Sequence, residues 1–191
     1  MALVFAHTTA GYLGYELVRP PGPHRPGLLL AAVALANGAD LDFLPGLVIG
    51  QPGVYHRGMT HTLGAVLVVG AAVALAAGLA GRGRAIVVRA TAWAAALYAS
   101  HLVLDYFTAD AVAPYGGRFL WPLSGAYYIA PVPMLEEVIV DGSARVAFVA
   151  SLLTRQALGV WGRELACLVA SVALVHGLRR EAPAGEVRAA S

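Results

Sequence analysis

From Gly58 to Gly81 the chain carries no Asp, Glu, Lys or Arg. At 1.5 Å per residue a helix of that length crosses the ~30 Å hydrocarbon core of a bilayer. A surface helix of a soluble domain would instead present a charged face to water. Ala90 to Leu104 is uncharged as well, and its apolar character reaches back past Arg89 to Ala85. The deficit is global: charged residues make up 13% of the chain and mean hydropathy is +0.69, against about 25% charged residues in soluble domains. The fold expected is all-α, a multi-pass transmembrane helical bundle forming one domain over residues 1–178. A net charge of +2 gives no case for a nucleic-acid partner. The single Cys167 excludes a disulfide within the chain and makes no thiolate metal cage. Residues 1–14 are apolar without a basic start, and read as a mature helix, not as a cleaved signal.

Prolines and glycines divide the apolar segments. Helix is expected over residues 2–18, ended by the proline-rich stretch 19–26. A second helix starts near Gly27 and is interrupted after Ala36 by Asn37-Gly38-Ala39-Asp40-Leu41-Asp42, too early to cross alone. Phe43 to Tyr55, with Pro45, Gly46, Gly50, Pro52 and Gly53, reads as a buried or re-entrant loop, so the second helix is broken. Further helices are expected over 60–80, 85–107, 143–160 and 163–178. Between them, 108–135 is a Pro/Gly/aromatic loop suited to the membrane interface. Residues 179–191 form a polar tail, expected to be disordered.

Against this background the metal-type side chains are unevenly placed. His7 lies in the first half of the first helix, and Asp40 and Asp42 at the far end of the second. His56 and His61 bracket the start of the third, within Tyr55-His56-Arg57-Gly58-Met59-Thr60-His61. His101 and Asp105 close the fourth. If these helices run antiparallel in order, all seven fall at one end of the bundle, where helix bundles build metal sites from inward side chains. His101 and Asp105 are i, i+4 and share a helix face. Asp40 and Asp42 flank Leu41 in a non-helical break, where alternate residues point the same way. His56 and His61 need a turn between them, for which Gly58 is available. Four histidines and up to four aspartates exceed the needs of one tetrahedral zinc. The surplus points to two ions, or to one ion with supporting groups. Taken singly, each residue has a plainer reading: His7 in the core, Asp40 or Thr60 as helix caps, Asp110 in a loop, Arg57 as an interfacial anchor. His24 and His176 lie apart from the group.

The combination of His7, Asn37-Gly38-Ala39-Asp40-Leu41-Asp42, His56-Arg57-Gly58-Met59-Thr60-His61, His101-Leu102-Val103-Leu104-Asp105 and Pro114-Tyr115-Gly116 resembles the YdjM-like family of membrane-bound, metal-dependent hydrolases. The resemblance covers about residues 1–125. The family's usual proline before the acidic pair is absent, since Ala39 stands between Gly38 and Asp40. The resemblance implies hydrolysis, and the layout is similar to that of all-helical zinc phosphoesterases with clustered His and Asp.

The expectation is therefore an integral inner-membrane enzyme with the lipid bilayer as its surroundings. It would use a divalent metal, zinc before others, as one or two ions held by His7, Asp40, Asp42, His56, His61, His101 and Asp105. Arg57 and Asp105 are the candidate catalytic side chains; Arg57 would hold an anionic oxygen. A phosphoester such as a lipid phosphate is the expected substrate. The alternative is a protein without activity, holding a structural metal or a transported ion. Arg19, Arg25, Arg82, Arg84 and Arg89 gather at the end away from the ligands, which puts the ligands on the non-cytoplasmic side.

Overall fold

A computed structural model describes residues 4–20 and 22–181. In chain order the helices are α1 (Val4–Val18), α2 (Pro26–Asn37), α3 (Phe43–Ile49), α4 (Leu63–Leu79), α5 (Arg84–Tyr106), α6 (Arg145–Ser151) and α7 (Arg155–Glu181). Short 3-10 turns occupy Gly38–Asp42 and Met59–His61. No strand occurs among the described residues; two isolated bridges, Thr108 with Leu135 and Gly117 with Tyr128, brace the long connection after α5. By length and composition, Pro26–Ile49, Arg84–Tyr106 and Arg155–Arg180 could each cross a membrane. The 17 residues of α4 stand at the lower end of the spanning range. Apolar side chains on the outside, among them Leu17, Leu30, Val48, Val68 and Leu79, are more than half exposed. Such a surface suits lipid and not water.

Three expectations about the helices are corrected. The second helix is broken but does not stop. Gly38 and Phe43 keep right-handed helical dihedrals, so α2 passes through the 3-10 turn into α3 and the whole is 24 residues long. Phe43–Ile49, expected as the start of a loop, is helical because Pro45 sits in the first turn, where a missing N–H costs nothing. Gly50, at φ 86°, then ends it. The helix expected over 60–80 starts later, at Leu63. Thr62, not Thr60, is its cap, accepting from the Ala65 amide at 3.2 Å. The two last expected helices are repartitioned. A short α6 stops at Ser151, and α7 starts at Arg155 and runs without a break through Gly159 and Gly162. The expected tail begins inside α7, since Arg179 and Arg180 are helical; the remainder, 182–191, lies outside the described residues.

Helices α1, α2, α4 and α5 alternate in direction, and α7 runs parallel to α1. Near its start, α7 offers the Glu164 carboxylate to the Ala6 amide of α1 at 3.1 Å. Near its end, Arg179 meets the buried Glu16 carboxylate at 2.7 Å, which Arg19 shares at 2.8 Å. The connection from 107 to 144 therefore stays at one end of the bundle and covers it. Its carbonyls at Phe119 and Trp121 take the Leu63 and Gly64 amides at 2.7 and 2.9 Å, satisfying donors that the start of α4 would otherwise leave open.

Helices α1 and α2 approach through Gly11. A Cβ there would lie 2.8 Å from the Val33 Cα and 3.0 Å from the Ala32 carbonyl oxygen, both backbone atoms that cannot swing aside. Gly11→Leu should therefore force the two helices apart and destabilise the protein by about 1–3 kcal/mol. Gly78→Leu, at a site with nothing within 4 Å, should be neutral. Thermal unfolding in detergent compares the two.

Candidate metal centre

The antiparallel order brings all seven candidate side chains to the covered end of the bundle. Asp105 lies at the centre, with 1% of its side chain exposed. Around it stand His61 Nε2 at 3.5 Å, His101 Nε2 at 3.7 Å and His7 Nε2 at 3.8 Å. Asp40 Oδ1 lies 3.4 Å from both His61 Nε2 and His101 Nε2. The rings of His7 and His101 stack at 3.7 Å. None of these distances comes with hydrogen-bond geometry. Both oxygens of Asp105, both nitrogens of His7 and the Nε2 atoms of His61 and His101 are buried without a partner. Buried polar atoms are otherwise nearly always satisfied. Convergent lone pairs left open in this way fit a divalent cation.

The outer nitrogens are fixed. His101 Nδ1–H donates to the Ala36 carbonyl at 2.9 Å, which leaves its Nε2 lone pair facing inward. His61 Nδ1 faces Asp42 Oδ2 at 3.2 Å and the Thr60 hydroxyl at 3.0 Å. An imidazole's two nitrogens point apart, so Asp42 lies behind His61 as seen from Asp105. Its two oxygens are shared out: Oδ1 meets His56 Nδ1 at 3.2 Å, and Oδ2 accepts from the Thr60 hydroxyl at 2.9 Å. His56 stands further out, with Nδ1 4.0 Å from Asp40 and Nε2 buried and unpartnered. The donor atoms form two groups that could each hold an ion, His7–His101–Asp105 and Asp40–His56–His61, each within 4.8 Å. Burial pushes His56 down in pKa. Burial also opposes charge on His61, but its contacts with Asp40 and Asp42 prevail and raise it to about 9.

Local structure explains the placements. In the 3-10 turn Asp40 and Asp42 face inward while Leu41, between them, is exposed; the break, expected to be non-helical, is a 3-10 helix. The turn between His56 and His61 is built differently from expectation. The left-handed residue is Arg57, at φ 57°, and not Gly58. Gly58 is needed because a Cβ there would lie 2.7 Å from the Tyr55 carbonyl oxygen. A left-handed arginine costs roughly 1–2 kcal/mol, held here by what its side chain meets. Its Nη1 pairs with Asp110, while Nε and Nη2 are buried without a partner. Arg57, Asp110 and His56 line a cavity of about 380 Å³, with Phe43, Tyr127 and Glu137 among its other walls. Asp110 also accepts from the Gly116 amide at 2.7 Å.

Two contributors lie outside the expected set. Thr60 stands inside the H-R-x-x-T-H pattern and was assignable to a helix cap; its hydroxyl braces Asp42 instead. Asp110 was assignable to a loop, and nothing in sequence links it to Arg57, 53 residues away. His24 and His176 do lie apart. They face each other at the opposite end at 5.9 Å, where His24 meets the Tyr15 hydroxyl at 3.2 Å.

The chain matches a protein-family model described as YdjM inner membrane protein over residues 1–181. No curated protein and no solved structure matches it.

Two outcomes follow from the geometry. Protein purified without chelators should retain divalent metal by elemental analysis, and His61→Ala or His101→Ala should lose it while remaining in the membrane. His61, raised to about 9, carries a proton at neutral pH that a metal ion must displace. Metal binding at neutral pH should therefore release about one proton, and apparent affinity should rise roughly tenfold per pH unit up to the His61 pKa. Calorimetry in buffers of different ionisation enthalpy counts the proton.

Proposed function

The chain belongs to the YdjM family of inner membrane proteins, and on that premise we propose that it is a membrane-embedded, divalent-metal-dependent hydrolase of a phosphoester. The observation that carries the reading is the set of buried, unpartnered imidazole and carboxylate atoms converging on Asp105. Asp40, with 15% of its side chain exposed, and His56, at the cavity wall, form the edge through which substrate approaches. Zinc suits a donor set of imidazole and carboxylate, as one or two ions. Bound there, it supplies Lewis acidity and a water acidified from 15.7 toward about 7.

The chain's own residues supply the rest. His7, Asp40, His61, His101 and Asp105 hold the ion. Asp42 fixes the rings of His61 and His56 from behind, with Thr60 bracing it. Arg57 lines the cavity, where its guanidinium is the group suited to a phosphoryl oxygen. Asp105, expected both as ligand and as catalytic carboxylate, is buried away from the cavity and keeps the ligand role. Burial of His7, His61 and His101 at 0% exposure favours a second reading, a closed structural metal. Metal-loaded protein that turns over no phosphoester would decide for it. In the hydrolase, Arg57→Ala should retain metal but lose turnover by about 10²-fold or more, and Arg57→Lys should recover only part, since lysine lacks the planar fork. Metal analysis beside steady-state kinetics separates the roles.

The direction of α7 brings Arg179 and Arg180 to the end that holds Arg19, Arg25, Arg82, Arg84 and Arg89. Arg57, Arg118, Arg145, Arg155 and Arg163, five against seven among the described residues, lie at the site's end. This bias supports a site on the non-cytoplasmic face. In a Cys167→Ala background, Gly125→Cys should be labelled in intact cells by an impermeant maleimide, and Gly83→Cys only after the membrane is opened; both positions are open around the added atom.

A further inference from the structure

Two short turns carry part of the metal centre, and they have little structure of their own to hold them. Asp40 and Asp42 stand on the 3-10 turn Gly38–Asp42 and His61 on Met59–His61, five and three residues long. His7, His101 and Asp105 ride instead on α1 and α5, 15 and 23 residues long. The Thr60 hydroxyl and the histidine contacts of Asp42 tie the two turns to each other. They do not tie the pair to α5. The spacing between the turns and α5 decides whether Asp40 and His61 face an ion together with His101 and Asp105.

Tyr98 spans that gap. It lies one helical turn before His101 and two before Asp105, so the three share a face of α5. Its side chain is buried. Its hydroxyl donates to the Thr60 carbonyl at 3.0 Å, the one hydrogen bond between α5 and Met59–His61 among the described residues. Thr60 directly precedes His61, and its own hydroxyl braces Asp42. The edge of the Tyr98 ring meets the other turn: a Cβ on Gly38 would lie 3.1 Å from the ring's Cε2. Ala39, next to Asp40, belongs to the same buried apolar cluster as Tyr98. One side chain thus engages both turns from the helix that carries His101 and Asp105.

Resting on the metal reading and not on hydrolysis, we infer that Tyr98 is a positioning residue: it keeps the Asp40 and His61 side of the centre in register with the His101 and Asp105 side, and makes no bond to the ion itself. Without its hydroxyl the two turns stay joined to each other but shift against α5. The donors must then be gathered when the ion binds, and affinity falls.

The test uses the full-length protein in detergent, with zinc and cobalt(II) as probes and no substrate. Tyr98→Phe keeps the ring against Gly38 and removes only the hydroxyl. It should lower zinc affinity by about tenfold, as loss of an outer partner of metal ligands does, and should change the visible spectrum of bound cobalt(II). Trp93→Phe is the control, since Trp93 Nε1 donates from the same helix to the Gly14 carbonyl at 3.0 Å, eight residues before His101. A purely structural loss lowers the unfolding temperature of metal-free protein in both variants and leaves zinc affinity and the cobalt spectrum at their wild-type values. Gly38→Ala presses the ring from the other side. It should weaken zinc binding too, and by less in a Tyr98→Phe background, where the ring is free to yield. Wild-type affinity and spectrum in Tyr98→Phe overturn the inference and leave the metal centre standing. If Tyr98→Phe does not fold, wild-type affinity in Gly38→Ala overturns it equally. Wild type that binds no zinc removes the metal reading and this inference with it.

Discussion

The Asp105 carboxylate is the constraint around which the rest is arranged. It sits on a membrane helix, almost wholly buried, and meets no hydrogen-bond donor. Such a group costs several kcal/mol unless positive charge is brought to it. Imidazoles arrive from three separate parts of the chain: His7 from α1, His61 from the 3-10 turn before α4, and His101 from the same helix. Each then needs its far nitrogen held. The Ala36 carbonyl, where α2 gives way to the 3-10 turn, holds one; Asp42 holds another. The break in the second helix is therefore part of the site. A continuous α-helix would have kept the Ala36 carbonyl for its own ladder and turned Asp40 and Asp42 to different neighbours.

Charge spacing made the membrane character and the shared end of the clustered His and Asp side chains legible from sequence, because both depend on properties that each residue carries alone. What escaped depended on pairing. Asn37 to Asp42 reads as an interruption, yet helical dihedrals continue through it, since neither glycine nor aspartate forbids them. Thr60 and Thr62 are equally plausible caps by type. Only the Asp42 carboxylate, brought near by the fold, draws Thr60 away to a different task. Gly159 and Gly162 suggest a helix boundary, but α7 passes through both because α1 holds it at either end. The Arg57–Asp110 pair joins two loops through space and has no local signature at all.

Cavity and cluster share His56. One edge of the ring is tied to Asp42 and through it to His61; the ring also forms part of the cavity wall. The Phe43 ring lies against it at 4.0 Å. Side chains that would meet a substrate are thus fixed by those that would hold the ion, so a change in one is felt by the other.

Helix α7 contributes no ligand, yet it clasps α1 near both ends, through Glu164 and Ala6 and through Arg179 and Glu16. The depth at which His7 rides is therefore set by a helix that lies far along the chain and carries none of the clustered side chains. Loosening either clasp would let α1 slide along the bundle axis and draw His7 out of line with the ring of His101 on which it stacks, although no atom of the cluster had been changed.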